Sequence, residues 1–147
     1  MFKIKKSLAV FLLVVTLCSF TFTVYAANEP FSFTLYSTGQ TYNIQDGICN
    51  VKSYANNPAT AATSYNNAPG WGFAFCMAYK QNGNFNIATV TSPGYWISGV
   101  GIIHPPYRTG QNITNRCYYV GARIDDDYSG PYTCSGKFNS DYTVPTF

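Results

Sequence analysis

The chain carries a single histidine, His104, in the run Ile-Ile-His-Pro-Pro-Tyr. Proton transfer by a histidine pair and a two-histidine metal site are thereby excluded. A serine or cysteine nucleophile activated by imidazole would have to use that one ring, and no nucleophile motif lies beside it. An ordinary loop histidine is the simpler reading. Asp125, Asp126 and Asp127 form the one acidic cluster. Calcium loops present oxygens at alternating positions, with a glycine and a distant glutamate. Here the acids are consecutive, Glu29 is far away, and a solvated turn accounts for them better. A paired-carboxylate glycosidase is weaker still, because adjacent side chains in a turn point apart. The sequence therefore assigns no catalytic residue, no metal and no cofactor, and a small secreted hydrolase is the least favoured reading.

The aromatic residues are the stronger candidates. After the first 26 residues the chain holds twelve Tyr, seven Phe and two Trp. Tyr42, Tyr54, Tyr65, Tyr95, Trp96, Tyr107, Tyr119, Tyr128 and Tyr142 exceed what one small core can absorb. Exposed rings of this kind stack on sugars or anchor a protein contact, although they also serve simply to cover sheet edges. A ligand site is expected at Tyr95, Trp96 and Tyr107, in a glycine- and proline-rich segment where loops on a rigid scaffold carry function.

The start of the chain sets the compartment. Lys3, Lys5 and Lys6 precede an apolar run over residues 8–17, and small residues, Val24 and Ala26, follow at the −3 and −1 positions of a peptidase site. This is the order of a secretory signal peptide spanning residues 1–26, cleaved after Ala26. An uncleaved anchor is the rival, since residues 7–27 could just span a bilayer. Cleavage leaves residues 27–147 as a single secreted domain. The formal +3 charge resides in the three signal lysines. The remainder balances three Lys and three Arg against Glu29, Asp46, Asp125, Asp126, Asp127 and Asp141. A neutral chain without basic clusters argues against nucleic acid as a partner and against attraction to anionic lipid. No second apolar run approaches membrane length, so insertion of the mature chain is not expected.

Period-2 alternation runs through the secreted part. Phe31, Phe33 and Leu35 alternate with polar residues. Residues 41–45 and 48–54 flank Asp46-Gly47, a turn signal that predicts a hairpin. Trp71, Phe73, Phe75, Met77 and Tyr79 form one face of a strand over 71–80, and Asn82-Gly83 turns the chain into residues 85–91. Residues 117–124 and 132–138 read as a last hairpin. Residues 55–70 read as a loop, and residues 98–111 as an irregular crossover. No helical periodicity is present. About seven strands at this spacing predict an all-β, two-layer antiparallel sandwich.

Cys18 leaves with the signal, and Cys49, Cys76, Cys117 and Cys134 remain. An even count in an oxidising compartment points to two disulfides, with free buried thiols or a metal site as alternatives. The spacings contain no Cys-x-x-Cys knuckle. Strand parity in the expected C-terminal hairpin puts Cys117 and Cys134 on opposite faces, which favours Cys49 with Cys134 and Cys76 with Cys117.

Phe31-Ser-Phe-Thr, Gly94-Tyr-Trp, Tyr119-Val-Gly-Ala-Arg-Ile and Tyr132-Thr-Cys-Ser-Gly-Lys-Phe-Asn-Ser-Asp together resemble a family of small exported β-rich proteins of Gram-positive bacteria whose role is unassigned. Phe138 stands where that pattern has Trp. The size and the end-of-chain pattern are also distantly similar to lactococcin-type bacteriocins, β-sandwich peptides that disturb cell-wall synthesis. The resemblance implies no catalytic residues. Export, neutrality and surplus aromatics lead to a non-enzymatic secreted β-sandwich that binds at or outside the cell envelope, with a cell-wall glycan or an envelope protein as partner. A bacteriocin-like toxin acting on related cells is the alternative.

Overall fold

The computed structural model describes residues 27–36, 41–86, 90–124 and 127–143. The expected signal segment and the expected cleavage point after Ala26 lie outside these residues, as do Asp125 and Asp126 and part of the expected strand over 85–91. Among the described residues there are ten strands and no helix: β1 (Glu29–Leu35), β2 (Asn43–Ile44), β3 (Asn50–Val51), β4 (Thr60–Asn66), β5 (Phe73–Gln81), β6 (Asn84–Asn86), β7 (Trp96–Ile97), β8 (Gly101–Ile103), β9 (Cys117–Ile124) and β10 (Tyr132–Asn139). They form two packed antiparallel sheets, as the alternation predicts. The first runs β1-β10-β4-β8, and the second runs β2-β9-β5-β6, with β3 also on β9 and β7 on β5.

The core is the apolar row of each long strand turned toward the other sheet. β1 contributes Phe31, Phe33 and Leu35, β5 contributes Phe73, Phe75 and Met77, and β9 contributes Tyr118, Val120, Ala122 and Ile124. Large residues meet small ones across the β5–β9 ladder, for example Phe75 opposite Ala122. Phe31 and Phe75 bridge the two sheets with ring centroids 5.1 Å apart. Burying each such side chain contributes roughly 2–3 kcal/mol.

Several expected connections differ. β9 and β10 are not a hairpin: β9 lies in the second sheet and β10 in the first. Asp46-Gly47 does not join paired strands either, because β2 and β3 both pair with β9 along the same edge. The Asn82-Gly83 hairpin is formed as expected, with Gln81 opposite Asn84 and positive φ at both turn residues. Residues 55–70, expected as a loop, contain β4. Its Ala61 and Ala62 are fully buried between β10 and β8, where small side chains allow close backbone approach. The irregular crossover expected at 98–111 contains the short β8.

The disulfide framework is also corrected. Cys49 bonds Cys117 with Cα atoms 5.6 Å apart, and Cys76 and Cys134 are free and buried. The expected pairs of Cys49 with Cys134 and Cys76 with Cys117 fail for a definite reason. The parity argument required β9 and β10 to be neighbours, and it placed Val51 inward. In β3 and just beyond it, Asn50 and Lys52 are the buried residues and Val51 is exposed, so Cys49 meets β9 rather than the core.

Gly72 sets where β5 begins. It has φ +77°, and a Cβ there would come within 1.8 Å of the Ile97 carbonyl oxygen. This kink turns Trp71 out of the strand row, leaving it 68% exposed. Gly72→Ala combines left-handed strain with a backbone clash and is expected to cost about 3 kcal/mol, read as a lower urea midpoint at unchanged slope.

Candidate functional site

The outer face of the second sheet concentrates the unusual side chains. β5 presents Ala74, Cys76 and Ala78 on this face, and β9 presents Gly121 between Tyr119 and Arg123. The small residues form a floor, and Ala74, Cys76 and Ala78 are buried even though they face away from the core. They are covered because long side chains fold over them from both edges. Gly121 is needed here: a Cβ would meet Ile44 Cδ1 at 2.3 Å and Cys76 Sγ at 2.9 Å.

Two cation–aromatic clusters stand on this floor. In one, the Arg123 guanidinium lies 4.9 Å from the Trp96 ring and 5.4 Å from that of Tyr42. In the other, Lys80 Nζ lies 4.9 Å from the Phe85 ring and 5.4 Å from that of Tyr119, and those two rings meet edge-to-face at 5.2 Å. Lys80 also donates to both Asp46 oxygens at 2.7 and 2.9 Å, which raises the lysine and lowers the carboxyl relative to their ordinary values. On the other side of the sheet, at the end of the core-facing row, the Arg116 guanidinium stacks at 4.2 Å on Tyr79, which packs against the core. Each contact of this kind contributes about 0.5–1 kcal/mol at an exposed site. Together they pre-order the rings and cations before any ligand arrives. Burial pushes the Tyr42 phenol up, with Arg123 opposing, and pushes the Cys76 thiol well up. The thiol in the floor is therefore protonated and inert.

The three residues expected to form a ligand site do not converge. Trp96 is on this face, half-buried, in β7 opposite Ala74. Tyr95 is half-buried, and its main-chain oxygen accepts from Phe75 N at 3.0 Å. Tyr107 turns inward. Its ring packs on Tyr118 at 4.9 Å, its hydroxyl donates to the Ser140 carbonyl at 2.9 Å, and burial raises its pKa well above the ordinary value. Tyr42, Tyr119, Arg123 and Lys80 join Trp96 in place of Tyr95 and Tyr107. The readable signal was the alternation of Tyr119, Gly121 and Arg123, in which one strand carries its apolar row on one face and this trio on the other.

His104 and the acidic residues stand elsewhere. The imidazole stacks on Tyr142 at 4.3 Å, with Nδ1 3.1 Å from Thr60 Oγ1, and its pKa is lowered by partial burial. Asp127 is exposed. Asp141 is buried against Lys52 at 2.9 Å. Lys52 also donates to the Asn57 and Ser140 carbonyls at 2.9 and 2.6 Å, and lies 4.4 Å from the Tyr107 ring. This polar knot ties the C-terminal segment to residues 52–57. Among the described residues no helix is long and apolar enough to cross a membrane. Comparison with family models, with curated proteins and with solved structures finds no match.

Proposed function

We propose that the protein is a secreted, non-enzymatic β-sandwich that binds a glycan of the cell envelope through the outer face of its second sheet. One observation carries the reading: four rings (Tyr42, Trp96, Phe85 and Tyr119) held by Arg123 and Lys80 over a floor of small residues. Flat rings supply area to sugar C–H faces at low entropic cost, and cations between them supply donors to hydroxyls and anions. The basic, apolar and small-residue order of residues 1–26 supports export. The Cys49–Cys117 disulfide suits an oxidising compartment.

The test is retention of the secreted protein on purified cell-wall sacculi. Wild type is expected to be retained, and Trp96→Ala to lose at least about tenfold in affinity, as for removal of a central aromatic anchor, with an unchanged circular dichroism spectrum. Equal retention of the two proteins would overturn the assignment of the face. Killing of related strains without any retention on walls would replace this reading with the bacteriocin-like one.

A further inference from the structure

β5 and β9 are paired from Phe73 opposite Ile124 to Ala78 opposite Tyr119 and then part. β5 continues against β6, with Lys80 opposite Phe85. β9 starts at Cys117, opposite Val51 of β3 and bonded to Cys49. The fork opens a cleft of about 340 Å³ lined by Tyr79, Lys80, Gln81, Arg116, Cys117 and Tyr119. That volume is near the lower end of the roughly 300–1,000 Å³ typical of small-molecule sites.

Deepening the glycan-binding reading above, on which it rests, we infer that this fork is the subsite for an acidic sugar unit bearing a carboxylate or a phosphate. Two of the six lining residues are cationic. Lys52 is paired with Asp141 and Lys80 with Asp46, and Arg116 takes part in neither pair. Stacking on Tyr79 fixes the plane of the guanidinium, and its contact from Nη1 to Gln111 Oε1 is long, 3.5 Å. The guanidinium also bonds the Tyr118 hydroxyl, and its other N–H groups supply the paired donors that match two oxygens of a carboxylate or phosphate. Tyr79 is itself held, donating to Gln81 Oε1 at 3.3 Å and accepting from Asn86 Nδ2 at 3.1 Å. The disulfide anchors the opposite wall. A neutral sugar would use the ring of Tyr119 but leave Arg116 unanswered; an acidic one engages both.

Amide chemical shifts of the secreted protein test this in titrations with oligogalacturonate, glucose 1-phosphate and uncharged maltose. Either anionic probe should shift Gln81, Arg116 and Tyr119, and which of the two does so distinguishes carboxylate from phosphate. Maltose should not. Arg116→Gln should weaken the anionic response about tenfold or more, the loss expected for a charged hydrogen-bonding pair. Lys80→Gln, at an exposed position, should weaken it in the same direction. Equal binding of maltose, or unchanged binding in both variants, overturns the subsite. Retention on sacculi that is lost in Trp96→Ala but kept in Arg116→Gln also overturns it, while leaving the envelope reading intact. Probe binding at Arg116 without retention on sacculi would overturn that reading and leave the subsite standing.

Discussion

Asp141→Ala is expected to cost the fold about 3–5 kcal/mol, the penalty for stranding one partner of a buried ion pair. The side chains of Lys52 and Asp141 are 0% and 3% exposed. The carboxylate also accepts from the backbone N–H groups of Ser53 at 2.7 Å and Tyr54 at 3.2 Å. Removing it orphans two amides and an ammonium together. Lys52 keeps its two carbonyl acceptors but loses its counter-charge. Desolvation already lowers the Lys52 pKa, and the Asp141 bond opposes that shift. Without Asp141 the folded value falls further. The unfolded lysine then binds its proton more tightly than the folded one over a wider span below 10.5, so this group's contribution to stability rises with pH across that span. The deficit of the variant should accordingly shrink as pH is raised toward 10. Denaturant unfolding at several pH values measures both effects. Lys52→Met combined with Asp141→Leu should recover much of the loss, because an apolar pair of similar volume removes the uncompensated charge. A cost below about 1 kcal/mol in the single variant would show that the knot is solvated.

Opening the Cys49–Cys117 bond is expected to cost about 4 kcal/mol, since a separation of 68 residues releases a large loop in the unfolded chain. Cys49→Ser with Cys117→Ser should reproduce the effect of reductant. Thiol titration separates this framework from a two-bridge one. The native protein should show no reactive thiol, because Cys76 and Cys134 are buried and desolvation pushes both thiols well up. The denatured, unreduced protein should show two. Finding none would restore the pair of bridges that the even cysteine count implied.

What the sequence made legible was the parity of its long strands. Phe31, Phe33 and Leu35, then Phe73, Phe75 and Met77, and then Tyr118, Val120, Ala122 and Ile124 all face the core, because period-2 burial is a local property that needs no knowledge of neighbours. Apart from the Asn82-Gly83 hairpin, which strand lies beside which was not legible. The chain passes from the second sheet to the first between Ile124 and Tyr132, and nothing in the intervening sequence distinguishes a hairpin from such a crossover. β3 inverted the usual rule, burying Asn50 and Lys52 while exposing Val51, because the C-terminal segment supplies polar partners 88 to 90 residues away. Of the residues expected at a ligand site, Trp96 lies on the ring-bearing face, where Arg123 and Lys80 join it only because β9 lies next to β5. Tyr107 turns inward because its hydroxyl meets the Ser140 carbonyl, a tertiary contact that local pattern does not reveal.

The pairing of the first strand with the last has a mechanical consequence. In the antiparallel β1–β10 ladder Glu29 lies opposite Phe138, so the two ends of the domain leave from the same edge. Traction applied at residues 27 and 143 would load that ladder one rung at a time, the weakest geometry for a sheet under force, since the rungs never share the load. The line of pull, however, first meets Asn28, which accepts from Asn139 Nδ2 and Thr143 Oγ1, and Asn50, which bonds both Ala27 and Ser140. Behind them sits the ammonium of Lys52 on Asp141. A zipper that would peel from its open end is pinned at that end, and the tensile strength of the domain resides in a few polar side chains near its termini rather than in the strands they secure.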